Sequence, residues 1–416
     1  MRPSTLLYTL LLIVFGLATS GCETTEKALT AAGRVTRGQT GQAIIDLASG
    51  KDPAQIAKRR LEQYARDPEA VLRDLREAKK DFEAILAVLG VNVGKTWGKK
   101  EVQLPERKKY VKYTQNYKSR AIVDFDSADI LVETLDDQDP QKSLKSAIIT
   151  TLLTPQDPRS VDLFSDKEIV LTDDKEPYLF GLVLDQKNKP IRSPEDAEPF
   201  AAFLLEKKYA TRVVDQEGTK KMVHFVTMDM VSNLPMKQAE KYRTLVHQFA
   251  QQYNISPSLV FAVIRTESNF NPYAVSSAPA YGLMQLVPTS GGREAYRKAK
   301  GQDVIPSRDY LFDPENNVEL GTAFLNVLMF NQLEAVDHNV SREYCVIAAY
   351  NTGAGNVFRT FSRDRTTAVN QINSLQPAGV YDQLRKNLPY EETRSYLEKV
   401  TGYRKSFVNS SESSNP

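Results

Sequence analysis

Hydrophobic and polar positions follow two different periods along this chain. From Pro235 onward, apolar residues recur at spacings of three and four, which predicts helices joined by short loops. These predicted helices are Lys237–Gln252, Ser256–Ser268, a segment after Pro288, Asn316–Gln332, Arg342–Tyr350 and Tyr390–Val400. A similar pattern precedes Gly90, where two helical segments meet at Asp67-Pro68.

Between these helical regions, short runs rich in β-branched and aromatic residues predict strands. The runs are Ala121–Phe125, Ile130–Leu135, Ile169–Leu171, Tyr178–Leu184, Thr211–Val214 and Met222–Met228, with a hairpin turn at Asp215–Gly218 and helices at Lys142–Leu153 and Ala197–Lys208. The predicted fold class is α+β: an N-terminal α+β module with an antiparallel sheet at residues 43–235, then a mainly helical domain at 236–405 and a flexible tail at 406–416. No catalytic group of residues is evident in the module, so we expect it to position, bind or pair.

One carboxylate stands out in the helical region. The predicted helix begins at Ser256 as its N-cap, and Glu267 continues its apolar stripe close to the helix end. Burial and the negative end of the helix dipole both disfavour an ionised carboxylate, so the pKa of Glu267 should rise toward neutrality. Such a group can donate a proton at neutral pH. The alternative is an ordinary solvated glutamate near a helix end.

The N-terminus predicts export. Arg2 precedes an apolar run from Leu6 to Ala18, which is too short to span a bilayer, and small residues then lead to Cys22. Residues 1–21 are therefore predicted to be a lipoprotein-like signal peptide, with Cys22 lipidated and residues 22–42 forming a tether. Glu23 favours the outer membrane, with the protein facing the periplasm, although ordinary secretion with cleavage nearby is the alternative. Cys345 would then be a buried free thiol.

Composition is that of an ordinary globular protein. There are 54 basic and 52 acidic side chains, giving a net charge of +2, so charge does not favour a nucleic-acid partner. Three scattered histidines do not favour a histidine-based metal site or a Ser/His/Asp triad. We therefore expect neither a metal nor a cofactor.

The segment from Lys95 to Arg120 carries nine basic side chains against two acidic ones. One interpretation is a surface facing an anionic polymer or lipid headgroups. The other, which we favour, is a solvated face that pairs with the acidic run following it, from Asp124 to Asp139.

Three short stretches of the helical region are not explained by packing alone. They are Glu267-Ser268 followed by Gly282-Leu-Met-Gln285, then Ala348-Ala-Tyr-Asn-Thr-Gly-Ala-Gly355, and finally Glu392-Thr-Arg-Ser-Tyr396. In this order, and with Asn269–Ser276 and Phe312–Pro314, they resemble the family 1 lytic transglycosylases, whose lysozyme-like SLT domain cuts bacterial peptidoglycan. The resemblance covers roughly the last 180 residues, and one departure is Leu286, where relatives often have a second methionine.

The resemblance implies a lysozyme-like domain with Glu267 as its catalytic acid. It further implies that substrate-binding residues line the cleft: Ser276, Met284, Gln285, Tyr350, Asn351 and Tyr396. Structural alternatives stay open for several of them. Gln285 would then be a loop hydrogen-bonder, Tyr350-Asn351 a helix C-cap and Tyr396 a core residue.

The implied substrate is the glycan strand of peptidoglycan. Most glycosidases need two carboxylates, but no second acid is evident beside the matched stretches, and substrate-assisted enzymes do without one. The resemblance implies that the N-acetyl oxygen of the muramic sugar assists bond cleavage and that a 1,6-anhydromuramyl end forms. The alternatives are a goose-type muramidase that uses water, or a peptidoglycan-binding scaffold without activity. Other cell-wall enzymes are candidate partners of the N-terminal module.

Overall fold

The structure is a computed structural model that describes residues 68–171, 176–216, 218–276 and 279–412. The predicted signal peptide, Cys22 and the tether lie outside these residues, as does the predicted helical segment before Pro68. Within the described ranges, no helix has both the length and the apolar character needed to cross a bilayer. The described residues from Gly90 onward form one compact unit.

The sheet is antiparallel throughout, and an α+β region followed by a mainly helical region confirms the predicted fold class. Its strands are β1 (Lys109–Thr114), β2 (Ser119–Asp124), β3 (Asp129–Thr134), β4 (Ala210–Gln216) and β5 (Thr219–Asp229), in the spatial order β1-β2-β3-β5-β4. Strands β2 to β5 match four predicted runs, and the predicted hairpin turn connects β4 to β5.

Two predicted strands are wrong, and one strand was not predicted. Tyr178–Leu184 forms turns and isolated bridges, and four of its residues are buried in the core without belonging to a strand: Tyr178, Leu179, Leu182 and Val183. Ile169–Leu171 has no regular partner, and Val170 is 71% exposed. Strand β1 escaped prediction because its lysines indicated a charged face. Lys112 in this strand is nevertheless buried and donates to the Ser165 carbonyl at 2.8 Å.

Helix α1 (Pro68–Trp97) precedes the sheet, and helices α2 (Pro140–Leu152) and α3 (Pro194–Lys207) lie among the strands of the chain. Helix α2 packs on α3 and on β2, β3 and β5. The apolar face of α2 enters the same core as the sheet, which includes Leu144, Ile148, Val132 and Val226. Burial of this face fixes the helix against the sheet.

From Leu234 onward the described chain is helical. The elements are α4 (Leu234–Gln252), α5 (Pro257–Ser268), α6 (Arg293–Lys300), α7 (Arg308–Phe312), α8 (Pro314–Val327), α9 (Asn339–Thr352), α10 (Ala354–Phe361), α11 (Arg365–Ser374), α12 (Pro377–Asn387) and α13 (Glu391–Glu412). Short π-helical segments at Pro288–Gly292 and Leu328–Gln332 adjoin α6 and α8. Helices α7 and α10 to α12 were not predicted.

Helix α13 extends well past the predicted end near Val400. It continues to Glu412 through most of the segment predicted to be a tail, and Phe407 is buried against Phe261 and Phe270. Helix α13 also packs along α5 and α9, the helices that carry two of the predicted site stretches. Cys345, on α9, is buried with a free thiol, as predicted.

Part of the basic run pairs with the acidic run that follows it, so the favoured interpretation is confirmed for those charges only. Lys108 contacts Asp126 at 2.9 Å, and Lys109 and Lys118 lie 3.7 Å from Asp124 and Asp136. Arg120 pairs with Glu133 of the acidic run and also with Glu101, and it is buried against the Trp97 ring. Arg107 instead contacts Glu267 and Glu392, which lie outside the acidic run.

Candidate active site

Glu267 lies in the last turn of α5 and is only 5% exposed. Burial raises the pKa of its carboxyl from 4.5 to about 7, in agreement with the reasoning from its place on the apolar stripe. The helix ends at Asn269, which adopts the left-handed conformation with φ of 48°. A carboxyl with this pKa exchanges its proton readily near neutral pH.

Two tyrosines face this carboxyl, the half-buried Tyr350 from α9 and the buried Tyr396 from α13. The Tyr350 hydroxyl donates to the Met284 carbonyl at 2.9 Å. The Tyr396 hydroxyl is near enough to lower the pKa of Glu267, yet it makes no hydrogen bond of ordinary geometry with any described residue. Burial, with the charge of Glu267 as a second cause, raises the pKa of both phenols well above the usual value, so both stay neutral.

The loop after α5 returns under this site and is shaped by Asn317 of α8. The Asn317 amide donates to the carbonyls of Tyr281 and Leu311 at 2.8 and 2.7 Å, and its oxygen accepts from the Met284 N–H at 2.8 Å. Gly282 takes φ of +74°, and a Cβ there would lie 2.5 Å from the Asn317 amide nitrogen. Asn317 was not predicted, because nothing in its local sequence indicates this contact.

Gln285 stabilises the loop through its side-chain amide, whereas its side-chain oxygen is unpaired among the described residues. Its side-chain amide donates to the carbonyls of Ala274 and Gly282 at 3.1 and 3.0 Å, which is the structural role left open by the sequence. Its side-chain oxygen is buried without a partner among the described residues. The substrate-binding role predicted for Gln285 stays a prediction.

Met284 and Ser276 border the same loop. Met284 is fully buried and its sulfur packs against Gly321, so its side chain supports the loop from beneath. The N–H of Ser276 donates to the Ala280 carbonyl at 3.3 Å. The cleft roles predicted for these two residues stay predictions.

Asn351 lines a cavity of about 630 Å³ together with Tyr390, just before α13, and Glu392 in its first turn. The Asn351 side-chain oxygen accepts a 2.6 Å hydrogen bond from the Thr393 hydroxyl, which orients its amide. Helix α9 ends directly afterwards at Gly353, with φ of 83°. The Tyr350-Asn351 pair therefore occupies the end of the helix and also borders the cavity and Glu267.

Arg107 completes the surroundings of Glu267. Its guanidinium lies 3.8 Å from the Glu267 carboxylate and 3.3 Å from the Glu392 carboxylate. Sequence reasoning missed this residue, because it belongs to the basic run before β1 and no local pattern links it to α5. The same contact makes Glu392 a second carboxylate near Glu267, although no second acid was evident from the sequence.

Metal ligands are not gathered here. In the part of the chain that the structure describes, no group of three or more His, Cys, Asp or Glu side chains is arranged to hold a metal ion.

Comparison with known proteins finds two family models on the chain. The model described as "Membrane-bound lytic murein transglycosylase C, N-terminal domain" matches residues 75–241, and the model described as "Transglycosylase SLT domain" matches residues 244–373. The two matches meet close to the predicted boundary between the sheet module and the helical domain.

Curated relatives named membrane-bound lytic murein transglycosylase C match over most of the chain. The protein of Yersinia enterocolitica is 43% identical over 341 residues, covering 82% of this chain and 92% of the relative. Those of Serratia proteamaculans and Klebsiella pneumoniae are 42% and 43% identical, covering 82% and 78% of this chain and 92% and 89% of the relatives.

Solved structures give partial matches. An inactive mutant of the lytic transglycosylase Slt from Pseudomonas aeruginosa is 27% identical, with a TM-score of 0.34, and covers 42% of this chain and 25% of its own. The 70 kDa soluble lytic transglycosylase of Escherichia coli is 27% identical, with a TM-score of 0.30, and covers 39% and 23%. This chain thus spans about a quarter of each of those proteins.

Proposed function

Because the chain belongs to the family of membrane-bound lytic murein transglycosylase C, we propose that it cleaves the MurNAc-β-1,4-GlcNAc bond with Glu267 as its catalytic acid. The chain is a lytic murein transglycosylase, and peptidoglycan is its substrate. The observation that carries the assignment of Glu267 is a buried carboxyl with a pKa of about 7, held at the end of α5 between two tyrosines.

In the first step the glycosidic oxygen takes the proton of Glu267 while its bond to C1 of the muramic sugar breaks. A sugar oxygen leaves poorly as an anion, so a carboxyl that is still protonated near neutral pH lowers this barrier. The N-acetyl oxygen of the same sugar supplies electrons to C1, and no protein nucleophile is needed. The leaving GlcNAc departs with a 4-hydroxyl group.

In the second step Glu267, now a carboxylate, accepts the proton of the C6 hydroxyl of the same muramic sugar. The C6 oxygen bonds to C1 and displaces the N-acetyl oxygen, which gives a 1,6-anhydromuramyl end without consuming water. Glu267 is reprotonated, so one residue acts as acid and then as base. The neutral phenols of Tyr350 and Tyr396 leave this charge change to the carboxyl alone.

Hydrolysis by a goose-type muramidase mechanism is the alternative, and Glu392 is the observation that favours it. A second carboxylate could activate a water molecule. Glu392, however, is 65% exposed and ion-paired with Arg107 at 3.3 Å, which suits a charge partner better than a base. We therefore expect Glu392→Gln to retain glycan cleavage. In a hydrolase that used Glu392 as its base, the same substitution would lower turnover by about 100-fold or more.

The test of the proposed acid is Glu267→Gln, which keeps the shape of the side chain but has no proton to give. We expect turnover of purified peptidoglycan to fall by at least about 100-fold, while binding to sacculi and the far-UV spectrum stay unchanged. Full activity in this variant would exclude Glu267 as catalyst. No activity in the unmodified protein, with binding retained, would instead support a scaffold.

We place the enzyme at the outer membrane, lipid-anchored through Cys22 and facing the periplasm, with a role in cell-wall remodelling and turnover. Support comes from the sequence around Cys22 and from the words "membrane-bound" in the names of the relatives. Replacing Cys22 by Ala should move the protein from the membrane fraction to the soluble periplasmic fraction. Retention of that variant in the membrane fraction would overturn lipid anchoring through Cys22.

A further inference from the structure

The segment that carries Arg107 is a tight turn at the start of β1. The Glu106 N–H donates to the Lys109 carbonyl at 3.0 Å, and the Lys109 N–H donates back to the Glu106 carbonyl at 3.4 Å. Arg107 and Lys108 form the tip of this turn. Their side chains therefore project from the sheet region on a short, hydrogen-bonded backbone.

The loop that follows α5 holds this tip in place. The side-chain amide of Asn271 donates to the Arg107 carbonyl at 3.2 Å, and that of Asn269 donates to the Phe125 carbonyl at 2.5 Å. The Phe125 N–H in turn donates to the Lys108 carbonyl at 3.0 Å. Both asparagines are buried and lie within four residues of Glu267, so the loop that ends the helix of Glu267 also fixes Arg107.

The guanidinium of Arg107 lies between two carboxylates of unequal exposure. It is 3.8 Å from Glu267, whose side chain is 7% exposed, and 3.3 Å from Glu392, whose side chain is 65% exposed. The other groups that act on Glu267 are Tyr350, Tyr396 and Lys108, and Lys108 is tied to Asp126 at 2.9 Å. Arg107 is the cation in direct contact with Glu267 among the described residues.

From this geometry we propose that Arg107 is a positioning residue, which stabilises the Glu267 carboxylate between its two proton transfers. Glu392 holds the guanidinium in place and partly neutralises its charge. The proposal rests on the acid and base roles proposed for Glu267. A carboxylate formed in a buried site has lost its hydration, so a nearby fixed cation stabilises it. A fully desolvated pair would keep Glu267 permanently ionised, but the partial exposure of Arg107 and its bond to Glu392 weaken the attraction.

Charge removal at Arg107 should change the pH dependence of the reaction in a defined direction. The cation favours ionised Glu267, so Arg107→Gln should raise the pKa of the acid. Cleavage requires protonated Glu267, so the alkaline limb of the pH profile, where kcat/KM falls, should move to a pH higher by roughly half to one unit. We expect kcat to fall about tenfold. Arg107→Lys keeps the charge and should restore most of the wild-type limb. Glu392→Gln removes a repelling carboxylate, so its limb should move downward.

The measurement is the pH profile of anhydromuramyl release from purified sacculi by the full-length protein and these variants. Arg192→Gln is the matched control, because Arg192 is an exposed arginine paired with Glu176 at 2.5 Å in the same sheet region. Its profile should match that of the wild type. Variants are compared only after their melting temperatures show that they are folded.

The proposal would be overturned if the alkaline limb of Arg107→Gln stayed at the wild-type pH. This holds both for a variant with a normal rate and for one in which only KM is raised. Shifts of the same sign in Arg107→Gln and Glu392→Gln would also overturn it. The Glu267→Gln variant separates this outcome from failure of the proposed function. If that variant is inactive while the limb of Arg107→Gln does not move, Glu267 remains the acid and only the role of Arg107 is lost.

Discussion

The side-chain amide of Asn271 donates a hydrogen bond to the main-chain carbonyl of Arg107, 164 residues earlier in the chain. Nearby, the Tyr178 hydroxyl donates to the Phe270 carbonyl at 3.1 Å. The loop that follows the catalytic helix is thus held by the sheet region at successive residues. Through these contacts the sheet region stabilises the loop beside Glu267, and it also supplies Arg107 to the site.

Burial of Glu267 should make stability depend on pH. The pKa of the carboxyl is raised to about 7, so the folded state keeps a proton that the unfolded chain loses above about pH 4.5. This contribution to the free energy of unfolding is complete below pH 4.5 and lost as the pH rises through 7, about 3 kcal/mol in all. Glutamine does not titrate, so Glu267→Gln does not lose this contribution. Between pH 4.5 and 8, the free energy of unfolding of the variant should therefore rise by about 3 kcal/mol relative to that of the wild type.

Urea unfolding at several pH values tests this stability prediction. Glu240→Gln is a suitable control, because the Glu240 side chain is 52% exposed and should show no comparable pH-dependent gap. A gap between Glu267→Gln and the wild type that stays constant with pH would contradict the raised pKa.

The Tyr396 hydroxyl is buried, faces Glu267 and makes no ordinary hydrogen bond within the described part of the chain. Tyr396→Phe therefore loses no bond of the folded state, and its free energy of unfolding should stay within about 1 kcal/mol of the wild type. If the phenol contacts substrate or the reacting carboxyl, turnover should fall roughly 10- to 100-fold.

Turnover and urea unfolding together check this variant. Tyr242→Phe is the control, since the Tyr242 hydroxyl is also buried and has no hydrogen-bond partner among the residues that the structure describes, but it lies on α4. It should leave both quantities close to those of the wild type. Equal turnover in the two variants would assign Tyr396 to the core.

Gly282 should be far less tolerant of substitution than a glycine with the same backbone conformation elsewhere. A Cβ at Gly282 would lie 2.5 Å from the Asn317 amide nitrogen and from the Leu311 carbonyl, whereas at Gly301, with φ of +68°, it meets nothing within 4 Å. Gly282→Ala should lower the free energy of unfolding by about 3 kcal/mol or more, and Gly301→Ala by about 1 to 2 kcal/mol.

Thermal unfolding of the two alanine variants separates crowding from backbone strain, because only Gly282→Ala adds a clash. Similar losses of stability in the two variants would mean that the Asn317 contacts are not rigid.

The sequence alone predicted the helix of Glu267, its apolar stripe and the direction of the pKa shift, because periodicity and capping are local properties. It also predicted four of the five described strands. Apolar content at Tyr178–Leu184 misled the prediction, since buried turns and strands have similar composition. The lysines of β1 caused the opposite error, because they indicated a charged face and this strand was not predicted.

The contacts that define the surroundings of Glu267 are mostly non-local and could not be predicted. Arg107 belongs to a run of nine basic residues, and the run gives no reason to separate it from neighbours that pair with the acidic run. Asn317 acts on a loop 36 residues earlier through a buried amide. Only the folded arrangement shows which of many polar residues meet.

In the proposed mechanism one carboxyl, that of Glu267, acts as acid and then as base on the same sugar, without water. Digestion of purified sacculi in H₂¹⁸O, followed by mass spectrometry of the muropeptides, tests it most directly. We expect non-reducing 1,6-anhydromuramyl ends that carry no ¹⁸O, and we expect Glu267→Gln to produce none of them. Reducing muramyl ends with one ¹⁸O atom at C1 would contradict it and would identify a hydrolase.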